Sequence, residues 1–511
     1  MGSYQLGLFM ALWVAAFLLT RIGLSVLFKK AGYNPILAFI PILSWWWWLK
    51  VVNRPKWYMI GMVIPCINIL FSFNITLDLL RSFGQFRWWQ HFVGTVFTFI
   101  YLPYMAFDKN VKYLGGAGDA EWRKKNIPPH RGSREWADAL LFAMYVAGGM
   151  RSLYFDLYQI PTPSMESNLM VGDFLVVSRA KIGMRIPMTP IAIPVLAHKE
   201  LMGMQAFSDI LELPYMRLGG WYTIKNNDVI VFNWPADEEQ FPVDKKENYV
   251  KRCVGVPGDS LKVVNGQVYI NNKKLPVVGH TQKRYLCILK ETVTQDFLLE
   301  YSLGDYNIPV DAVKMIEEAA KTKTTINPIW IYTWPENADK IKGDPRVKSL
   351  FEATQDHVST SMTFPNCISE SQEVTNWDIN DYGPIYLPKR GDKITLTKGN
   401  WEYYKLAVNK YEKAGIEFNG TGFSKNGEPI TSYTFKLGYY WMMGDNRYNS
   451  LDSRFWGYVP EDHVVGKPLF TFLSIRKVIG IDELGQPKNA HGNPEYDTKG
   501  IRWEKILKTI E

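Results

Sequence analysis

The chain has 511 residues, more than one hydrophobic core usually serves, so several structural units are expected. The formal net charge is +8, but no compact Lys/Arg tract or nucleic-acid motif accompanies it, which argues against a nucleic-acid-binding protein. Four cysteines without a CxxC pair, an HExxH motif or a histidine cluster exclude a disulfide scaffold and indicate no metal or cofactor, although a single Cys287–Cys367 disulfide stays open.

Residues 1–107 are dominated by apolar and aromatic runs, which predict a multi-helix membrane domain. The first run, Leu6–Thr20, could be a cleaved targeting peptide, but it lacks a charged start and further runs follow, so we interpret it as an anchor. Trp57–Leu80 is long enough to cross about 30 Å of hydrocarbon, whereas the shorter runs could include a re-entrant segment. These shorter runs are Ile36–Leu49 and Phe92–Phe107.

The stretch from Ala31 to Ala106 also resembles a small multi-helix membrane domain of unknown role that occurs beside other modules. A polar loop rich in lysine and arginine follows at residues 108–135, and such a bias beside membrane segments marks the cytoplasmic side. Residues 136–155 form the next apolar stretch and are predicted to be a transmembrane anchor. The chain beyond this anchor is therefore expected outside the cytoplasm.

A serine and a lysine beyond the anchor form a candidate nucleophile and base. Ser164 follows the stiff run Pro161-Thr162-Pro163, and Lys251 stands in a predicted strand that ends at the turn Pro257-Gly258-Asp259. A serine hydroxyl needs a base, and no histidine of the chain has a recognisable triad or GxSxG context. A lysine buried away from water can be that base, because burial lowers its pKa. The alternative interpretations are a proline-stiffened linker and a surface lysine on an edge strand.

Three blocks of sequence in this order resemble type I signal peptidase, the Ser-Lys endopeptidase family that removes signal peptides from exported proteins. The blocks are Gln159–Met165, Tyr249–Asp259 and Gly444–Arg454. The resemblance covers residues 136–275 and 383–475.

The resemblance implies a mostly-β extracytoplasmic catalytic domain of signal-peptidase-like fold, formed by residues 156–279 and 383–480. Residues 280–382 carry no block of the family and are expected to form an inserted α+β cap subdomain. Strands are predicted there at Tyr285–Leu289 and Ile329–Tyr332, and helices at Asp311–Lys321 and Arg346–Ala353. Residues 481–511 are interpreted as a C-terminal tail.

The resemblance also assigns roles to individual residues. It implies that Ser164 attacks the scissile carbonyl, that Lys251 is its base, and that the Thr162 hydroxyl and the Ser164 N–H hold the oxyanion. Ser450 would orient the lysine amine through a hydrogen bond. The family further implies a polar network and two substrate-pocket walls, the network being Arg252, Asp445, Asp452 and Arg454 and the walls being Met165 and Val250. One departure is Ser167, which stands where the family usually has proline.

The sequence therefore predicts a multi-pass protein of the cytoplasmic (inner) membrane whose extracytoplasmic serine endopeptidase domain cleaves signal peptides through an acyl-enzyme. The expected partners are signal peptides of exported preproteins, the lipid bilayer and the secretion translocon, with no nucleic acid. Part of Met184–Leu218 is expected to dip into the outer leaflet, unless it is an ordinary core excursion. Rival hypotheses are a Ser-Lys protease with few clients, a relative of the self-cleaving repressors, and a scaffold that only binds signal peptides.

Overall fold

The computed structural model describes most of the chain and divides it into two compact units. Unit 1 comprises Met1–Asp156 and Arg185–Arg217, and unit 2 comprises Leu157–Met184 and Leu218–Glu511. The residues left out of the description are 1, 65–66, 129–131, 193–199, 202–203, 239, 277–280, 304–305, 308–325, 354–359, 370–373, 481–494 and 511.

Unit 1 is built mainly of helices that bury their apolar faces in a shared core, which includes Leu27, Phe73 and Leu102. The helix that contains four consecutive tryptophans, Leu43–Val52, ends at Asn53, which adopts the left-handed conformation (φ 57°). The Asn53 N–H donates hydrogen bonds to carbonyls of the last turn of this helix. The helices are α1 Gly2–Lys30, α2 Leu43–Val52, α3 Tyr58–Val63, α4 Ile67–Ser82, α5 Trp88–Val96, α6 Thr98–Phe107, α7 Ala120–Asn126 and α8 Gly132–Leu153.

One described helix, α1, is long and apolar enough to cross a membrane, over Gly7–Lys30. This helix contains the predicted first anchor, but the predicted multi-helix membrane region is not confirmed. The single span predicted at Trp57–Leu80 is wrong, because α3 stops at Ile64, which is extended (ψ 121°), and α4 begins at Ile67. Pro65 explains the break, since a proline disfavours the helical conformation in the residue before it.

Unit 2 centres on an eight-stranded sheet, and the predicted mostly-β character of this part of the chain is confirmed. The strands of the chain up to residue 289 are β1 Phe155–Gln159, β2 Asp173–Ser178, β3 Glu200–Leu201, β4 Met204–Gln205, β5 Val229–Asn233, β6 Asn248–Gly255, β7 Ser260–Val264, β8 Gln267–Ile270, β9 Lys273–Lys274 and β10 Lys283–Leu289. The later strands are β11 Tyr306–Asn307, β12 Asn327–Thr333, β13 Val347–Glu352, β14 Tyr382–Tyr386, β15 Lys393–Thr395, β16 Ile416–Phe418, β17 Phe423–Lys425, β18 Glu428–Ile430, β19 Ser432–Thr434, β20 Tyr439–Met443, β21 Val459–Pro460, β22 Val464–Ile479 and β23 Tyr496–Ile501.

The order of strands in the large sheet is β1-β2-β22-β5-β6-β20-β21, with β23 also paired to β22. Three smaller sheets have the strand orders β14-β7-β8-β9, β16-β17-β18 and β15-β19. They share a core rich in aromatic side chains, including Trp441, Tyr382 and Tyr458. The β3–β4 pair belongs to unit 1, and the helices of unit 2 are α9 Gln295–Glu300, α10 Pro335–Lys342, α11 Lys398–Lys405 and α12 Ser453–Trp456.

The predicted insertion contains a sheet of its own, in the order β11-β12-β10-β13. The predictions of strands at Tyr285–Leu289 and Ile329–Tyr332 are confirmed by β10 and β12, whereas Asp311–Lys321 lies outside the described residues. The helix predicted at Arg346–Ala353 is wrong, because this stretch forms β13 and pairs with β10. Cys287 is buried in β10 and Cys367 is exposed, and both are free thiols, so the disulfide considered between them is not formed.

Candidate functional site

Ser164 lies on a loop, residues 160–172, that connects β1 to β2 and is called the Ser164 loop below. Two hydrogen bonds close its neck, from Ile160 N–H to the Asp173 carbonyl (2.8 Å) and from Gly172 N–H to the Ile160 carbonyl (3.0 Å). Pro163 begins a short 3₁₀ turn that ends at Met165, and its ring fixes φ just before the serine. Ser164 is therefore held in a defined backbone conformation with 8% of its surface exposed.

Lys251 extends from β6 and is buried, with 3% of its surface exposed. Its strand pairs with β5, where Ile230 is its register partner, and continues into the fully buried Cys253 and Val254. The Lys251 Nζ lies 2.5 Å from Ser164 Oγ. Burial lowers the pKa of the Lys251 ammonium to about 8, and the nearby Asp452 and Asp445 carboxylates oppose this shift only in part.

A cavity of about 420 Å³ leads to these two side chains. Residues 158–164 form one wall and residues 247–251 form another. Ser164 is the last residue of the first wall, and Lys251 is the last residue of the second. Val250, which the sequence predicts as a pocket wall, is among the residues that line the cavity. Met165 instead is fully buried and packs with Leu169 and Leu175 in the core beneath the Ser164 loop.

The residues predicted to assist the dyad lie close to it. Thr162 Oγ1 is 3.4 Å from Ser164 Oγ. The Ser450 hydroxyl is buried and has no hydrogen-bond partner among the described residues, so the bond to Lys251 that the resemblance implies is not formed in this structure. Ser450 nevertheless lies beside the Ser164 backbone, because a Cβ atom on Gly444 would come within 2.2 Å of Ser450 Oγ and 2.5 Å of the Ser164 carbonyl oxygen.

Two ion pairs lie close to Lys251, and both are almost completely buried. Arg252 donates from Nε and Nη2 to the two oxygens of Asp445, at 2.7 and 2.8 Å. Arg454 donates in the same forked geometry to Asp452, at 2.9 Å for each bond, and Gly444 N–H donates to the same carboxylate. Because β6 carries Arg252 directly after Lys251, the first pair fixes the strand that presents the lysine.

Asp445→Asn is expected to destabilise unit 2, because it leaves the Arg252 guanidinium buried without its counter-charge. Breaking a buried ion pair typically costs about 3–5 kcal/mol, and urea denaturation followed by Trp fluorescence should show a loss of this size. The matched control is Glu461→Gln, which breaks the exposed Arg390–Glu461 pair and should cost less than about 1 kcal/mol. Equal small losses in both variants would contradict the prediction.

Sequence reasoning missed two asparagines that join the Ser164 loop to the third block. Asn446 donates from its backbone N–H to the Ser164 carbonyl (3.2 Å) and from its side chain to the Pro163 carbonyl (3.3 Å). Asn168 Nδ2 donates to Asp445 Oδ2 at 2.7 Å. Nothing local in the sequence indicates these bonds, because the partners are separated by more than 270 residues.

Among the described residues, no cluster of histidine, cysteine and carboxylate side chains is placed to hold a metal ion. The side chains that meet at the site are a hydroxyl and a buried amine. A hydroxyl next to a buried amine of lowered pKa can act as a nucleophile in acyl transfer.

Comparison with known proteins agrees with this chemistry. Residues 133–321 and 391–473, just over half of the chain, match the family described as signal peptidase, peptidase S26, and residues 36–116 match a family of unknown function, DUF5684. The chain is 24% identical to signal peptidase I of Haemophilus influenzae over 427 residues, which cover 80% of this chain and 87% of that protein. It is 24% identical to signal peptidase I of Buchnera aphidicola subsp. Schizaphis graminum over 331 residues (64% and 71%), and 26% identical to that of Helicobacter pylori over 163 residues (32% and 52%).

Proposed function

The chain belongs to the peptidase S26 family of signal peptidases, and on this premise we propose that Ser164 and Lys251 are the catalytic dyad with which it cleaves signal peptides from preproteins. The observation that carries the proposal is the 2.5 Å distance between Ser164 Oγ and Lys251 Nζ. The burial of Lys251 supports it, because only an uncharged amine can accept the hydroxyl proton.

The reaction is an acyl transfer in two steps. Neutral Lys251 takes the proton of Ser164 while Oγ attacks the scissile carbonyl, and the lysine then gives this proton to the leaving amine. The Ser164 N–H and the Thr162 hydroxyl donate to the oxyanion, and one such donor typically contributes about 10²–10³ in rate. Lys251 next deprotonates a water molecule, which releases the peptide from the acyl-enzyme.

The substrate would bind as an extended peptide whose scissile bond lies at Ser164 and Lys251. A strand laid between residues 158–164 and 247–251 would reach Ser164 with alternate side chains directed into the cavity, which is the usual geometry of strand addition. The apolar lining of the cavity includes Val250 and Leu175. The family resemblance implies that such a site takes small side chains at the first and third positions before the cleaved bond.

The proposal places the catalytic domain outside the cytoplasm. The α1 helix would be one anchor, the basic loop at residues 108–135 would face the cytoplasm, and residues 136–155 would cross back within a multi-helix region. The predicted lipid contact of Met184–Leu218 is supported by large apolar side chains that unit 1 leaves exposed there, namely Ile191, Met204 and Ile210. Preproteins would then reach the cavity as they leave the translocon.

The direct test is cleavage by the purified, detergent-solubilised chain of a preprotein with alanine at the first and third positions before the bond. The expected product begins at the residue after the signal peptide, as read by N-terminal sequencing. A preprotein with leucine at both positions should remain uncut, because the family resemblance implies that only small side chains are accepted there. If the protein bound the alanine preprotein without cutting it, the peptidase proposal would be rejected in favour of a scaffold that only binds signal peptides.

A further inference from the structure

The last part of the chain, residues 495–510, returns to the main sheet and is called the C-terminal segment below. It lies outside the family match, which ends at residue 473. Its strand β23 pairs with β22, and its end bonds β22 again, from Leu507 N–H to the Thr471 carbonyl (2.7 Å) and from Ile510 N–H to the Leu469 carbonyl (3.0 Å). A segment predicted as a mere tail is thus an ordered part of unit 2.

Two cations of the C-terminal segment converge on Asp173, the first residue of β2, directly after the Ser164 loop. Arg502 Nη2 donates to Asp173 Oδ1 at 3.1 Å, and Lys505 Nζ donates to Asp173 Oδ2 at 2.9 Å. Asp173 is completely buried and Arg502 is 4% exposed. Ser474 completes the group, because its hydroxyl donates to Asp173 Oδ1 (2.5 Å) and accepts from Arg502 Nε (2.7 Å).

The same two side chains also bind the backbone of the Ser164 loop. Arg502 Nη2 donates to the Val171 carbonyl at 2.7 Å, and Lys505 Nζ donates to the Asn168 carbonyl at 3.1 Å. Asn168 is held from both directions, since its side chain donates to Asp445 in the third block. The half of the loop that follows Ser164 is therefore fixed between the C-terminal segment and the ion pair beside Lys251.

This loop needs external support because its backbone is strained. Ser167 has φ +78°, a left-handed conformation that is unfavourable for serine and that a proline ring cannot adopt. Such conformations persist only where the surroundings determine them. The contacts of Lys505 and Arg502 come shortly after this residue, at the Asn168 and Val171 carbonyls.

We propose that Arg502 and Lys505 are positioning residues, which hold the Ser164 loop so that Ser164 Oγ stays within reach of Lys251 Nζ. A misplacement of reacting groups by about 1 Å can cost about 10²-fold in rate. The C-terminal segment is thereby a working part of the active site rather than an appendage. This inference rests on the proposed function, in which Ser164 is the nucleophile.

The test compares Lys505→Met with Lys508→Met in the full-length, detergent-solubilised protein. Lys508 is the matched control, because it lies in the same segment with its side chain exposed. Lys505→Met is expected to lower kcat for a signal-peptide substrate by about 10- to 100-fold, with KM nearly unchanged, because the substrate walls stay in place while the nucleophile shifts. Lys508→Met should leave both constants unchanged.

Arg502→Gln and Arg502→Lys extend the test, with the thermal unfolding midpoint of each variant measured alongside. A positioning role predicts that kcat stays low at temperatures where the variant is fully folded, and that Arg502→Lys recovers part of it. Wild-type kcat in the folded Lys505→Met and Arg502→Gln proteins would overturn the inference. If Ser164→Ala also cleaved normally, the proposed dyad would fail, whereas loss of cleavage in Ser164→Ala alone would leave the dyad intact and remove only the role of the C-terminal segment.

Discussion

Ser164→Ala is expected to lower kcat for preprotein cleavage by about 10³-fold or more, because it removes the hydroxyl that Lys251 Nζ contacts and that would form the acyl-enzyme. The change removes one hydroxyl whose partner is Lys251 Nζ, so the free energy of unfolding should change by no more than about 1.5 kcal/mol. The measurement is the initial rate of processing, with circular dichroism and urea denaturation on the same preparation.

Ser424→Ala is a suitable control for this variant, because Ser424 lies in β17 of a separate three-stranded sheet, does not line the cavity and is only partly buried. It should process preproteins at the wild-type rate. Undiminished cleavage by folded Ser164→Ala protein would falsify the assignment of the nucleophile. If activity were lost because the variant unfolds, its urea midpoint would be lowered. We expect the midpoint of Ser164→Ala to stay close to that of the wild type.

The pairing of Ser164 with Lys251 could be predicted from the sequence, since each residue stands in a contiguous block with clear local structure. The prolines before Ser164 and the strand-turn pattern after Lys251 are local signals, and their order along the chain matches the family. The large sheet brings the blocks together, because β1 and β2 flank the Ser164 loop and β6 carries Lys251.

The supports of the dyad could not be predicted in this way, because they depend on contacts between distant parts of the chain. Asn168 reaches Asp445, and Arg502 reaches Asp173, across more than 270 residues each. The polar residues of the C-terminal segment resemble any solvated tail until the pairing of β23 with β22 buries Arg502. Local patterns report backbone preference and amphipathicity, and they carry no record of such long-range partners.

The two errors in the prediction of secondary structure have different origins. Arg346–Ala353 has the composition of a short helix, but pairing with β10 along residues 347–352 decides in favour of a strand. The prediction of one continuous span at Trp57–Leu80 failed for the opposite reason, since the local effect of Pro65 outweighs the continuous apolar pattern. Hydrophobic runs therefore predicted where apolar segments lie better than they predicted how many helices those segments form.

Lys251→Met is expected to abolish cleavage and, at neutral pH, to stabilise the protein. Loss of a general base typically costs about 10²–10⁴ in kcat, and methionine fills the same buried space without a charge. Because burial lowers the pKa of Lys251 from 10.5 to about 8, holding the ammonium form in the fold at pH 7 costs about 3 kcal/mol. The methionine variant should gain stability up to this amount.

The pH dependence separates this explanation from a general packing effect. Between about pH 8 and 10.5 the unfolded chain keeps the lysine proton while the folded chain has lost it, so the wild-type free energy of unfolding rises with pH across this window. Lys251→Met lacks this contribution, and its stability advantage should shrink from pH 8 upward. Lys274→Met, in the exposed strand β9, should follow the wild type at every pH.

The activity of the wild type should titrate with the same group. Below about pH 8 the fraction of neutral Lys251 falls tenfold per pH unit, so kcat/KM should fall with it, and above pH 8 it should level off. One amine thus links two independent measurements, since the pH at which kcat/KM levels off must equal the pH at which the stability difference between wild type and Lys251→Met begins to shrink. Midpoints separated by two or more pH units would mean that the base is another group, and that the proximity of Lys251 to Ser164 serves structure alone.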